Sequence, residues 1–121
     1  MLTEYKAKEF AEHWIQAWNS HDIESIVSHY AEDVEYFSPF LTRLANNPNG
    51  SLCGKSALKE YLAKGLAAYP DLNFVLKNVL FGVRSIVIQY QSVNNLNASE
   101  VFELDENGLV SRVQCHYDKW Q

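Results

Sequence analysis

Glu100 is the residue in this sequence best placed to do chemistry. It sits in the run Ala98-Ser99-Glu100-Val101-Phe102-Glu103-Leu104, where a strand would put it on the same face as Ala98, Phe102 and Leu104. A carboxylate on an apolar face is costly to desolvate, so its pKa rises. A carboxyl tuned in that way, inside a pocket, is a proton donor or base. The alternative puts Glu100 at an exposed strand end, solvated or paired with Arg84 or Arg43. His116 and Asp118 also stand two apart, as a base and its orienter would. Yet Leu109, Val113, Cys115 and Tyr117 form the more apolar face of that segment. That alternation turns His116 toward solvent or a dimer interface, unless a bulge exchanges the faces.

No other nucleophile or metal site is evident. His13, His21, His29 and His116 are scattered, without His-x-x-x-His or paired-cysteine spacing, so no metal is expected. Cys53 and Cys115 read as two reduced thiols, and no basic neighbour activates Cys115. There is no glycine-rich phosphate loop and no nucleophile elbow, so no cofactor is implied. The aromatic residues carry the second signal. Phe10, Trp14 and Trp18 recur at i, i+4, i+8, and on a helix they would face Tyr36, Phe40, Tyr61 and Tyr90. Such a set encloses a flat or greasy ligand, with Ser38, Phe102 and Cys115 turned to the same space; it also serves as plain core.

These residues need elements to hold them. Thr3 N-caps a first helix that ends near Asn19-Ser20, and Asp22 caps a second helix carrying Ile23, Ile26, Val27 and Tyr30. Ala31-Glu32-Asp33 reads as an exit turn into a strand over Val34–Phe37, stopped by Pro39. The stretch from Phe40 to Cys53 has no clear period and contains Asn46-Asn47-Pro48-Asn49-Gly50-Ser51, which predicts a loop at a pocket rim or lid. Gly54-Lys55-Ser56 opens a third helix burying Ala57, Leu58, Tyr61, Leu62 and Leu66, closed by Tyr69-Pro70-Asp71. Strands follow over Leu72–Phe81, Arg84–Val93, Ala98–Leu104 and Leu109–Asp118. Asn107-Gly108 marks the last hairpin. Helices followed by consecutive strands predict an α+β domain on an antiparallel sheet, with no repeat and no boundary within residues 1–121.

Composition limits the function. The chain has 121 residues with 47% hydrophobic content, enough for one core, and 13% aromatic content, enough to line a cavity. A net charge of −5 argues against nucleic acid as a partner, since phosphate binding needs a basic surface. Apolar runs such as Val79–Val83 are too short to span a bilayer, and the charged start, with Glu4, Lys6, Lys8 and Glu9, is unlike a signal peptide. The expected location is the cytoplasm.

Several stretches resemble the cone-shaped NTF2-like superfamily, and within it the SnoaL-like group. They are Phe10–Trp18 with Asn19-Ser20-His21-Asp22, Ala31-Glu32-Asp33-Val34 leading into Ser38-Pro39, Gly54-Lys55-Ser56-Ala57-Leu58, and Asp105–Val110 before the last strand. The resemblance covers nearly the whole chain. It implies a cystatin-like α+β fold, with three N-terminal helices packed on a strongly curved mixed or antiparallel sheet over a deep apolar pocket. It also implies a homodimer through the outer face of the sheet. The group includes isomerases, cyclases and dehydratases as well as non-catalytic binding and association modules. Where ketosteroid isomerase-like members carry a tyrosine, an aspartate and a second acid, this chain has Trp14, Ser38 and Glu100. Where SnoaL-like cyclases carry an aspartate on the last strand, it has Val113-Gln114-Cys115. Steroid-type isomerisation therefore loses two of its three groups. The resemblance leaves a pocket for a small apolar or aromatic organic molecule, with Glu100 as the acid or base of any cofactor-independent proton transfer and Tyr36 or Tyr90 polarising a substrate oxygen. A binding or association module is the alternative.

Overall fold

The structure is a computed structural model that describes residues 2–119. Helix α1 spans Glu4–Asn19 and buries Ala7, Ala11, Trp14, Ala17 and Trp18 along one stripe. Thr3 caps it, accepting from the backbone N–H of Lys6 at 3.1 Å. Helix α2, Ile23–Val27, is capped in the same way by Asp22, which accepts from the N–H of Ser25. Strand β1 spans Tyr30–Phe37, α3 Phe40–Leu44, β2 Ser51–Cys53 and α4 Lys55–Ala68. Strands β3 (Val75–Phe81), β4 (Ser85–Gln91), β5 (Asn97–Leu104) and β6 (Val110–Tyr117) follow, with a short 3-10 turn at Val93–Asn95.

The strands form a six-stranded sheet, ordered β2-β1-β6-β5-β4-β3. All neighbours are antiparallel except β1 and β6, which run parallel. The sheet is therefore mixed and strongly curved, with the helices packed on its inner face. Alternation sets that face: Ile86, Ile88 and Tyr90 on β4 and Ala98, Glu100 and Phe102 on β5 point inward and are buried.

Several elements differ from the sequence reading, among them the strand expected over Leu72–Phe81, which begins only at Val75. Among the described residues there are four α-helices rather than three, because Phe40–Leu44 forms a helix inside the stretch expected to be a loop. That same stretch supplies β2, which pairs with β1 through Glu35↔Cys53 and Phe37↔Ser51. Strand β1 begins at Tyr30, so Tyr30 belongs to the strand and Ala31-Glu32-Asp33 is not a turn. Tyr30 and Ala31 are both buried and Glu32 and Asp33 both exposed, across a register shift that hides the alternation. Ala57 faces solvent, while Leu58, Tyr61 and Leu62 are buried.

Glycine is needed at two turns. Gly50 has φ +64°, and a Cβ there would lie 3.3 Å from the carbonyl oxygen of Ser38. The Ser38 N–H donates to the Gly50 carbonyl at 2.9 Å, which closes the loop around α3. Gly108, with φ +79°, closes the β5–β6 hairpin, where the Asp105 carboxylate accepts from the N–H groups of Asn107 and Leu109.

Candidate functional site

Between α1, α4 and the inner face of the sheet lies a cavity of about 50 Å³. Trp18 reaches it from α1, Tyr36 from β1, Phe40 and Leu44 from α3, and Tyr61, Leu62 and Gly65 from α4. Tyr90 and Glu100 form its floor, and Phe74 and Tyr117 stand beside them. Tyr69, Leu72, Ser92 and Val93 border both this cavity and an open surface groove, so the cavity meets solvent there.

A side-chain clamp at the corner after α1 brings Leu72 and Phe74 to the cavity. Asn19 accepts from the N–H of Phe74 at 2.6 Å and donates to its carbonyl at 2.9 Å. His21, at φ +58°, donates from Nε2 to the Leu72 carbonyl at 2.8 Å. From sequence, Asn19 marks the end of the first helix and His21 is one of four scattered histidines. An Asn and a His flanking a helix end were the available signal, but their partners lie more than fifty positions away.

Glu100 is 3% exposed. The exposed alternative, paired with Arg84 or Arg43, does not describe it. It faces Ile88 across β4 and Cys115 across β6, with Tyr90 as its diagonal neighbour. The Tyr90 hydroxyl donates to Oε1 of Glu100 at 2.7 Å. Burial pushes the carboxyl up to about 7, against the pull of the hydrogen bonds from Tyr90 and the Cys115 thiol. Burial likewise holds the Cys115 thiol and the phenols of Tyr30, Tyr36, Tyr61, Tyr90 and Tyr117 above their ordinary values. Glu100 is thus an acid poised to change charge near neutrality, among neutral donors.

The structure gathers Trp18, Tyr36, Phe40, Tyr61, Tyr90 and Glu100 around one space. Trp14, Ser38, Phe102 and Cys115 stand behind that wall. Trp14 is fully buried, with its ring 5.1 Å from Tyr90, 5.3 Å from Phe102 and 5.8 Å from Phe74. Its indole N–H donates to the Tyr30 hydroxyl at 3.1 Å. Ser38 accepts from the N–H of Phe40 at 3.2 Å and so fixes the start of α3. His116 is exposed, its Nδ1 on the Ser99 carbonyl, while Asp118 is held by Asn97, so the two form no dyad. A bulge near Ser111 turns Val110 inward, contrary to the alternation read from sequence, but it ends before Val113 and leaves Cys115 inside. Among the described residues no cluster of His, Cys, Asp and Glu could hold a metal ion, and no helix is long and apolar enough to cross a membrane.

Residues 11–113 match the family described as the SnoaL-like domain. The chain belongs to the SnoaL-like family. A SnoaL-like protein of unknown function from Burkholderia thailandensis is 37% identical, over 97% of this chain and 98% of its own, with a TM-score of 0.93. SalBIII, an epoxide hydrolase/cyclase-like enzyme in pyran ring formation in the polyether salinomycin, is 18% identical over 97% of this chain and 94% of its own, at TM-score 0.75. TerC, co-crystallised with polyporic acid, is 18% identical over 93% and 91%, at TM-score 0.72. The last two likenesses show the fold alone. No curated protein matches the chain.

Proposed function

We propose that the cavity binds a small organic molecule and that Glu100 exchanges a proton with it. The observation that carries this reading is a buried carboxyl, tuned to about 7, on the floor of an aromatic cavity that opens to solvent. An acid at that value is a base and a conjugate acid at neutral pH, as isomerisation, cyclisation or dehydration without a cofactor requires. Tyr36 or Tyr61, neutral phenols on the cavity wall, would polarise a substrate oxygen, while Tyr90 orients Glu100. Trp14, Ser38, Phe102 and Cys115 would support this wall rather than touch the ligand. SalBIII and TerC, with the same fold, are associated with ring formation and with polyporic acid, which is consistent with small organic ligands here. The molecule would act as a homodimer through the outer face of the sheet, in the cytoplasm.

A second reading is a binding module without turnover. Trp14 and Ser38 favour it, since neither can replace the tyrosine and aspartate of the isomerase-like members.

Cyclohexanone in heavy water separates the two readings. A working base at Glu100 speeds deuterium uptake beside the carbonyl, and Glu100→Gln returns it to the buffer rate. Saturable binding with uptake at the buffer rate would favour the binding module. Gly65 gives the control: it lines the cavity on α4, and a Cβ there meets nothing within 4 Å. Gly65→Leu should fill the cavity, keep the fold and abolish binding. Equal binding by this variant would remove the cavity from consideration.

A further inference from the structure

The cavity is lined by aromatic rings and one carboxyl, together with phenol hydroxyls and the indole N–H of Trp18, which has no hydrogen-bond partner. Most of the lining side chains are aromatic, Trp18, Tyr36, Phe74 and Tyr90 among them, and every ring carries a negative face. Glu100 adds a carboxyl that is more than nine-tenths buried. Among the described residues no Lys, Arg or His lines the cavity, and no cationic side chain offsets the charge of Glu100. A buried carboxylate without a counter-charge is unfavourable, and a ligand can supply what the protein lacks. An anionic ligand would meet repulsion here. Beside a neutral one, Glu100 would take up a proton and make no use of its charge. A cation satisfies both the rings and the carboxylate.

We infer that the cavity receives a cationic head group, a quaternary ammonium or a protonated amine, seated among Trp18, Tyr36, Phe74 and Tyr90 with Glu100 as its counter-charge. This rests on the reading of the cavity as a ligand site and names the class of ligand. The size fits: about 50 Å³ suits a compact head group, while a longer substituent leaves past Leu72, Ser92 and Val93 into the open groove. A protonated amine could also hand its proton to Glu100. A quaternary ammonium cannot, so it tests the charge alone.

Choline and its uncharged carbon isostere, 3,3-dimethylbutan-1-ol, are the probes, titrated calorimetrically at pH 8. Choline should bind at least about tenfold more tightly, because the two differ in charge at nearly equal shape. Glu100→Gln should remove most of that preference and leave the alcohol unchanged. Choline does not titrate, so its pH dependence reports the protein. The titratable groups around Glu100 are Tyr90 on β4, Cys115 and Tyr117 on β6, Tyr30 and Tyr36 on β1, and Tyr61 on α4, all held above their ordinary values. Only Glu100 among them changes charge between pH 8 and pH 6, so choline affinity should fall about tenfold over that range. Equal or tighter binding of the alcohol, blocked by Gly65→Leu, would overturn the charge inference and leave the ligand site standing. Binding of neither probe would overturn both.

Discussion

Glu100 holds its proton more tightly in the fold than in the unfolded chain, about 7 against 4.5. A carboxyl of that kind makes its full contribution to stability below pH 4.5. The contribution fades as pH rises between the two values and is gone above about 7. The difference corresponds to roughly 3 kcal/mol, most of it lost between pH 5 and pH 8. Gln at this position accepts the Tyr90 hydrogen bond and carries no charge. Glu100→Gln is therefore expected to be more stable than the parent at pH 8, by roughly 2–3 kcal/mol, and nearly equal at pH 5. Urea unfolding at the two pH values measures this. An equal loss of stability in parent and variant would show that another group carries the pH dependence. The tuning of Glu100 was legible from its alternation with Ala98 and Phe102. Its partner was not, because Tyr90 reaches it diagonally across a register that sequence does not encode. Trp14 shows the opposite limit. Helical spacing places it on the inner stripe with Trp18, but cannot tell which indole stops at the cavity and which ends in the core.

At the scale of elements, α1 is tied to the segment leading into β3 by the Asn19 amide as well as by apolar contact. Asn19 makes two hydrogen bonds to the backbone of Phe74, and Phe74 packs its ring 5.1 Å from Trp18 and 4.7 Å from Tyr90. Asn19→Ala leaves the part-buried N–H and carbonyl of Phe74 without those partners, at a cost of about 1–3 kcal/mol. Amide exchange should rise at Phe74 and its neighbours well before it rises in β5. Uniform exchange across β3 and β5 would mean that the clamp does not control this segment. Helix caps were readable because Thr3 and Asp22 act within three residues. Helix α3 was not, because five residues are too few to show a period. Strand β2 depends wholly on pairing with β1, so three residues of it carry no signal of their own.

The whole molecule presents a second surface, on the far side of the sheet from the cavity. Pairing registers set Leu80 beside Val87, Val87 beside Val101, Val101 beside Gln114 and Gln114 beside Phe37, in a row from β3 to β1. Leu80 is 47% exposed, Val87 and Val101 are part-exposed, and Arg112 lies 4.9 Å from the centre of the Phe37 ring. The row reaches Phe37 only because β1 joins β6 in parallel, a long-range pairing invisible in a sequence that reads as consecutive antiparallel strands. An apolar row across the open face of a sheet is suited to a two-fold contact, where the same patch meets itself. Val101 stands near its middle, so Val101→Glu would bury two carboxylates close together in a symmetric dimer. Sedimentation should give a dimer for the parent and a monomer for this variant, with the inner face and its Glu100–Tyr90 hydrogen bond intact. A parent that sediments as a monomer at every concentration would sink the dimer, while a variant that remains dimeric would move the contact off this row.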